Sequence, residues 1–218
     1  MRIACVGYRE WALNIYDALV NSTDHSYLIF RSKLQYKEGV LRDFKPDLIL
    51  FYGWSWHINK TLLHDFTCLM LHPSPLPKYR GGSPIQNQII AGEKSSKVSI
   101  FIMNNEIDTG DLVGTENISL EGSLDDIFRQ IEDVGILLTL KIITNGMSRE
   151  PQNHNKATYF ERRAESDSEI TLEELAECSS EFLFNKIRML ADPYPNAYIK
   201  TYDGKRLVIL DSRIEDEI

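Results

Sequence analysis

The segment from Leu71 to Pro84, LHPSPLPKYRGGSP, allows neither helix nor strand, because Pro73, Pro75 and Pro77 remove backbone donors and Gly81-Gly82 loosens the chain. It reads as a loop of fixed shape. The apolar run Cys68–Leu71 before it has the character of a buried strand, and Ser83 at an N-cap followed by Pro84 announces a helix. His72 thus falls where a strand ends. Strand, rigid loop and helix form the ligand sites of open α/β sheets, at the carboxyl ends of strands. Two readings of His72 fit this local pattern: a reactive imidazole, or a histidine that holds the loop.

A second polar constellation, Asn104-Asn105-Glu106-Ile107-Asp108-Thr109-Gly110-Asp111, follows the alternating run Lys97–Met103. If the strands before and after the Ser83 helix form a right-handed crossover unit, their carboxyl ends share one sheet edge and His72 meets Asp108. A carboxylate beside an imidazole orients the ring and selects its tautomer.

Around these motifs the chain alternates strand and helix. Arg2–Gly7, Ser26–Phe30 and Pro46–Tyr52 read as strands, the last apolar on both faces as parallel strands are. Trp11–Val20 and Ile58–Phe66 have helical spacing. Leu112–Leu120 pairs with the strand before it, and Ser123 with Asp126 opens a long amphipathic helix to Gly146. Met147–Glu169 is polar and reads as a surface loop with His154 solvated. Thr171 with Glu174 caps a further helix ending before Asp192, and Asp203-Gly204 marks a hairpin. The expectation is an α/β fold with an open, mostly parallel twisted sheet flanked by helices, Rossmann-like, carrying a short carboxyl-terminal helix and β-hairpin. Residues 1–146 form the α/β domain; residues 147–218 supply the connecting loop, helix and hairpin.

Composition removes several functions. The 24 basic and 32 acidic side chains give a net charge of −8 without a basic block, a poor match to a nucleic-acid partner whose phosphates dominate affinity. The turn Gly7–Glu10 lacks the glycine pattern of a dinucleotide site. Cys5, Cys68 and Cys178 lack metal-ligand or disulfide spacing and read as reduced core residues, so no metal is implied. Apolar runs fall short of a membrane span, and Met1–Gly7 enters a strand directly, which gives a cytoplasmic expectation with no membrane partner. Trp54 and Trp56 fit either core packing or a flat ligand; Lys78 and Arg80 fit either an anion or solvent. Arg9 fits a surface role or a substrate contact.

The loop HPSPLPKYRGGSP and the turn IDTGD resemble the His-x-Ser-Leu-Leu-Pro-x-x-Arg-Gly and Asp-x-Gly motifs of the 10-formyltetrahydrofolate-dependent formyltransferase family. The likeness runs from Phe51 to Gly110 and resumes at Tyr159–Arg163 and Asn185–Tyr198. It implies formyl transfer from 10-formyltetrahydrofolate, the formyl donor, to a primary amine. His72 and Asp108 then carry the catalysis. Trp54, Ser55, Trp56, Ser74, Pro75, Leu76, Pro77, Asn104, Asn105, Glu106 and Ile107 hold the folate, and Arg9, Lys78, Tyr79 and Arg80 meet the acceptor. The acceptor expected is a small amino sugar, nucleotide-linked, of the kind used in lipopolysaccharide or surface-glycan assembly. Initiator tRNA stands second, weakened by charge and by a chain ending where the tRNA-directed members open a further domain; homodimerisation is a family analogy. One departure stands out: the family's asparagine two residues before the histidine is Met70, which has no donor. Gln86, Asn87, Asn104 and Asn105 are the candidate substitutes, and a binding protein without turnover is the alternative.

Overall fold

The computed structural model describes residues 1–216. The chain opens with β1 (Arg2–Val6), α1 (Glu10–Ser22), β2 (Ser26–Phe30), α2 (Glu38–Phe44), β3 (Leu48–Leu50), α3 (Lys60–Asp65) and β4 (Cys68–His72). It continues through β5 (Arg80–Gly81), α4 (Pro84–Ile90), β6 (Ser95–Ile102), β7 (Leu112–Ser119) and α5 (Leu124–Asn145). Then come β8 (Tyr159–Phe160), α6 (Leu172–Glu177), α7 (Ser180–Met189), β9 (Ala197–Lys200) and β10 (Arg206–Ile209).

Six strands form one sheet in the order β2-β1-β3-β4-β6-β7. The pairs β2/β1, β1/β3 and β3/β4 are parallel. Successive side chains on a strand face opposite ways, so apolar residues throughout β1 and β3 feed two cores. Ile3, Cys5, Leu48, Leu50, Leu69 and Leu71 pack in one cluster with Ile15 and Leu19 of α1 and Ile131 and Leu138 of α5. Ala4, Val6, Ile49 and Phe51 pack in the other with Leu41 of α2 and Leu62 of α3. Where β1 and β3 end, the buried Tyr16 hydroxyl accepts the Tyr52 N–H at 2.7 Å and lies 3.0 Å from the Val6 and Leu50 carbonyls, satisfying backbone that the sheet leaves unpaired.

The crossover expected between the strands flanking α4 does not form. β4 and β6 are antiparallel, with Leu69 opposite Ile102 and His72 opposite Ser99. α4 packs against α7 and leaves the chain at the carboxyl end of β4, so β6 enters the sheet from the edge at which β4 leaves it and runs back antiparallel. Asp108 instead arrives on the loop between β6 and β7, whose antiparallel pairing was expected. That turn is tight enough that a Cβ on Gly110 would stand 1.7 Å from the Ile102 carbonyl oxygen.

Local signals elsewhere have the expected chemistry with exceptions. Ser123/Asp126 and Thr171/Glu174 both form reciprocal capping boxes. Ser83 precedes α4 but caps nothing; its backbone is left-handed (φ 50°) and its hydroxyl accepts the Arg163 N–H. The single helix expected after Thr171 is two, because Ser179 starts a second one by accepting the Phe182 N–H. α2 carried no expectation. Cys5 and Cys68 are buried, and burial pushes the Cys68 thiol up to about 12, whereas Cys178 is only half-buried at the α6/α7 break. Among the described residues no helix is long and apolar enough to cross a membrane.

Gly110→Ala should force the Ile102 backbone aside, an overpacking of the kind that costs about 1–3 kcal/mol. Urea unfolding monitored by tryptophan fluorescence should show the midpoint falling with an unchanged slope.

Candidate active site

Met70 and His72 are two apart on β4, so both face the same way, into a cavity of about 1040 Å³. The His72 side chain is only 8% exposed. Its Nε2 lies 2.8 Å from the Tyr79 carbonyl oxygen. A carbonyl only accepts, so Nε2 carries the hydrogen and donates it. In the neutral ring Nδ1 is then the bare lone pair, and it lies 3.6 Å from Asp108 Oδ2. That spacing is too long for a normal hydrogen bond, yet close enough for the carboxylate to attract the charge the ring gains with a proton.

Asp108 is held from both ends. Its Oδ2 accepts the Gly81 N–H at 2.7 Å, and its carbonyl accepts from Gln152 Nε2 at 3.0 Å. Tyr79 and Asp108 both have left-handed backbone, φ 58° and 54°, a conformation L-residues rarely adopt without surrounding support. The support comes from Thr158–Phe160. The Tyr79 N–H donates to Thr158 Oγ1, and β5 pairs with β8 in a two-residue parallel ladder. A Cβ on Gly81 would meet the Phe160 carbonyl oxygen at 2.2 Å, and one on Gly82 the Arg162 Cα at 2.3 Å, so only the two glycines allow this approach.

This stitching overturns the sequence reading of two segments. The chain after Met147 is no detached surface loop, and His154 Nδ1 lies 3.2 Å from Arg80 Nη2. Arg80 is fully buried and faces neither anion nor solvent; Gln152 Oε1 accepts from its Nε and Nη2 at 3.2 and 2.6 Å, and Tyr159 takes Nη1. None of these partners is a carboxylate. Gln152 Nε2 bonds Gly110 O at 2.7 Å as well as Asp108 O, so one buried amide ties the loop to the turn. Ser74, Pro75, Leu76, Pro77, Lys78 and Tyr79 do not line the cavity either. Ser74 is buried, donating to the Lys78 carbonyl and accepting from Ser99, and the Tyr79 ring stacks on Phe160 at 5.1 Å.

Trp54, Ser55, Trp56 and Asn104–Asp108 do line it, as does Arg9. Trp54 and Trp56 meet edge-on at 4.7 Å; Tyr36 and Tyr8 extend the cluster, and Tyr8 bonds Ser55 at 2.9 Å. Burial opposes ionisation of the Tyr8 phenol, but the hydrogen bonds with Ser55 and Arg162 and the Arg9 charge outweigh it and lower its pKa. Asn104 Oδ1 accepts from the Glu106 N–H and Thr109, so its side chain shapes the turn. The Arg9 guanidinium lies over the rings of Tyr8 and Tyr194, at 4.9 and 5.3 Å. Sequence reasoning assigned no role to Gln152, Thr158, Phe160, Arg162 or Arg163. The signal available was the recurrence of the family likeness at Tyr159–Arg163.

Residues 19–135 match the family described as Formyl transferase. A methionyl-tRNA formyltransferase of Orientia tsutsugamushi is 31% identical over 81% of this chain and 58% of its own. The chain spans about three fifths of the curated relatives it matches, 58%, 62% and 59% of the first three. Among solved structures, a methionyl-tRNA formyltransferase from Clostridium thermocellum superposes with a TM-score of 0.84 at 29% identity, covering 96% of this chain and 97% of that one. A 4-N formyltransferase from Francisella tularensis has a TM-score of 0.79 at 19% identity, covering 99% and 98%, a likeness of fold.

Gln152→Leu should leave Arg80 Nε and the Asp108 and Gly110 carbonyls unpaired, each such group costing about 1–3 kcal/mol. Chemical denaturation should show a loss of about 2–5 kcal/mol, with faster amide exchange at Asp108–Gly110.

Proposed function

The chain belongs to the formyl transferase family, and from that premise we propose that it moves a formyl group from 10-formyltetrahydrofolate to a primary amine, with His72 as the proton acceptor. The observation that carries this is the placement of the imidazole: Nε2 is committed to the Tyr79 carbonyl, which makes Nδ1, beside Asp108 in the cavity, the ring nitrogen that can exchange a proton with a ligand. The donor supplies the carbon that is transferred. A cavity of about 1040 Å³ suits such a molecule, since small-ligand sites run from about 300 to 1,000 Å³. The tryptophan wall offers apolar surface, and the turn Asn104–Ile107 offers backbone groups to a pterin edge.

The new bond joins the amine nitrogen to the formyl carbon, and the bond from that carbon to folate N10 breaks. Protons balance: the amine loses one and N10 gains one. His72 Nδ1 takes the amine proton, and Asp108 stabilises the ring while it is charged. Asp108 need not move to do this, since Gly81 and Gln152 already hold it.

For the acceptor, our reading is a nucleotide-linked amino sugar. Arg9, Lys60, Arg162 and Arg163 line the cavity and suit a phosphate-bearing molecule, while the net charge of −8 opposes a long polyanion. Initiator methionyl-tRNA is the second reading, favoured by the names of the relatives near 30% identity.

Tetrahydrofolate release should be measured with 10-formyltetrahydrofolate and a panel of nucleotide-linked amino sugars, with methionyl-tRNA as a separate arm. Release should occur with a sugar and fall about 100- to 10,000-fold in His72→Asn, donor binding being retained. Release only in the tRNA arm replaces the acceptor; undiminished release in His72→Asn removes the proposed base; folate binding without release in any arm leaves a binding protein.

A further inference from the structure

Transfer puts negative charge on the formyl oxygen, and a site that accelerates it aims a donor there. Met70, which shares the strand face of His72 and lines the same cavity, has only a thioether. Another group must serve, or the oxygen goes unassisted.

The first turns of α4 carry three consecutive buried amides, Gln86, Asn87 and Gln88. Two are occupied. Asn87 Nδ2 donates to the Gly82 carbonyl at 2.9 Å, and Gln88 Nε2 to the Pro73 and Pro84 carbonyls, both at 2.9 Å. Gln86 differs: it is 3% exposed, lines the cavity with His72 and Asp108, and its Nε2 has no hydrogen-bond partner. Buried polar groups are bonded in the great majority of cases, so a buried donor without a partner, at the end of a side chain that lines the cavity, requires a reason. The other amides near the site do not compete: Asn104 is engaged by Glu106 and Thr109, and Asn105 is exposed.

We propose that Gln86 is a catalytic residue whose side-chain amide donates a hydrogen bond to the oxygen of the formyl group in transfer, serving where Met70 cannot. This rests on the formyl-transfer reading above. The terminal amide turns about a broad, two-fold torsion, so its NH₂ can swing toward the oxygen without moving α4. With no protein partner to give up, the donor loses no internal bond when the ligand arrives.

Two variants test it: Gln86→Leu, which removes the amide, and Gln86→Glu, which keeps the shape but, ionised, only accepts. kcat should fall about 100-fold or more in both, as for loss of an oxyanion donor. Met70→Asn added to Gln86→Leu should recover at least tenfold, a rescue that a packing role would not give. Thermal unfolding of Gln86→Leu should be no less stable than the parent, because an unpaired buried donor has gone.

A binding measurement separates this inference from the reading beneath it. The parent should prefer 10-formyl-5,8-dideazafolate over its deformylated counterpart by about 2- to 10-fold, the worth of one hydrogen bond, and both variants should lose that preference. Unchanged kcat and unchanged preference in a folded variant overturn the role of Gln86 and leave formyl transfer standing. A parent without turnover on any acceptor removes the transfer reading, and the analogue preference then decides whether Gln86 senses the formyl oxygen. A parent that binds neither analogue overturns both.

Discussion

The hydrogen bond from His72 Nε2 to the Tyr79 carbonyl decides what the site can do. It assigns a hydrogen to the inner nitrogen and turns the outer one toward Asp108 and the cavity. That carbonyl is available only because Tyr79 adopts a left-handed backbone, which Thr158 secures by accepting its N–H. The orientation of the proposed base is therefore set by a loop conformation some seven residues away, and that conformation depends on a segment much later in the chain.

Arg80 shows how such a loop is held without closing the cavity. A buried guanidinium is costly unless its donors are met, and here they are met by a glutamine, a tyrosine and a histidine instead of a carboxylate. Neutral acceptors leave Asp108 as the carboxylate beside the imidazole. The same glutamine fixes the Asp108 carbonyl, so the residue that quiets the arginine also sets the position of the acid.

Much of this was legible in the residues. Prolines and glycines marked the loop, apolar runs marked the parallel strands, and the serine and threonine capping boxes formed as read. The meeting of His72 and Asp108 was anticipated on a wrong topology: the convergence comes from the β6/β7 turn and Gly110, not from a crossover. What could not be read was tertiary. Arg80 looks like any loop cation until Gln152 is placed beside it, and a two-residue ladder such as β5/β8 leaves no periodicity. Gln86 was one of four amides of equal standing until three were found engaged or exposed.

The β5/β8 ladder also bears on synthesis. A nascent chain that has emerged through Asn145 already contains His72 and Asp108, with the central sheet complete through β7 and α5. It lacks Gln152, Thr158 and Phe160, so the loop at Tyr79–Gly82 is without the bracing that the later segment supplies. Vectorial folding thus produces a sheet first and an oriented imidazole later, once roughly fifteen further residues leave the ribosome, about one to three seconds at elongation rates of about 5–20 residues per second. The sheet is thus complete before the loop that orients His72 is secured.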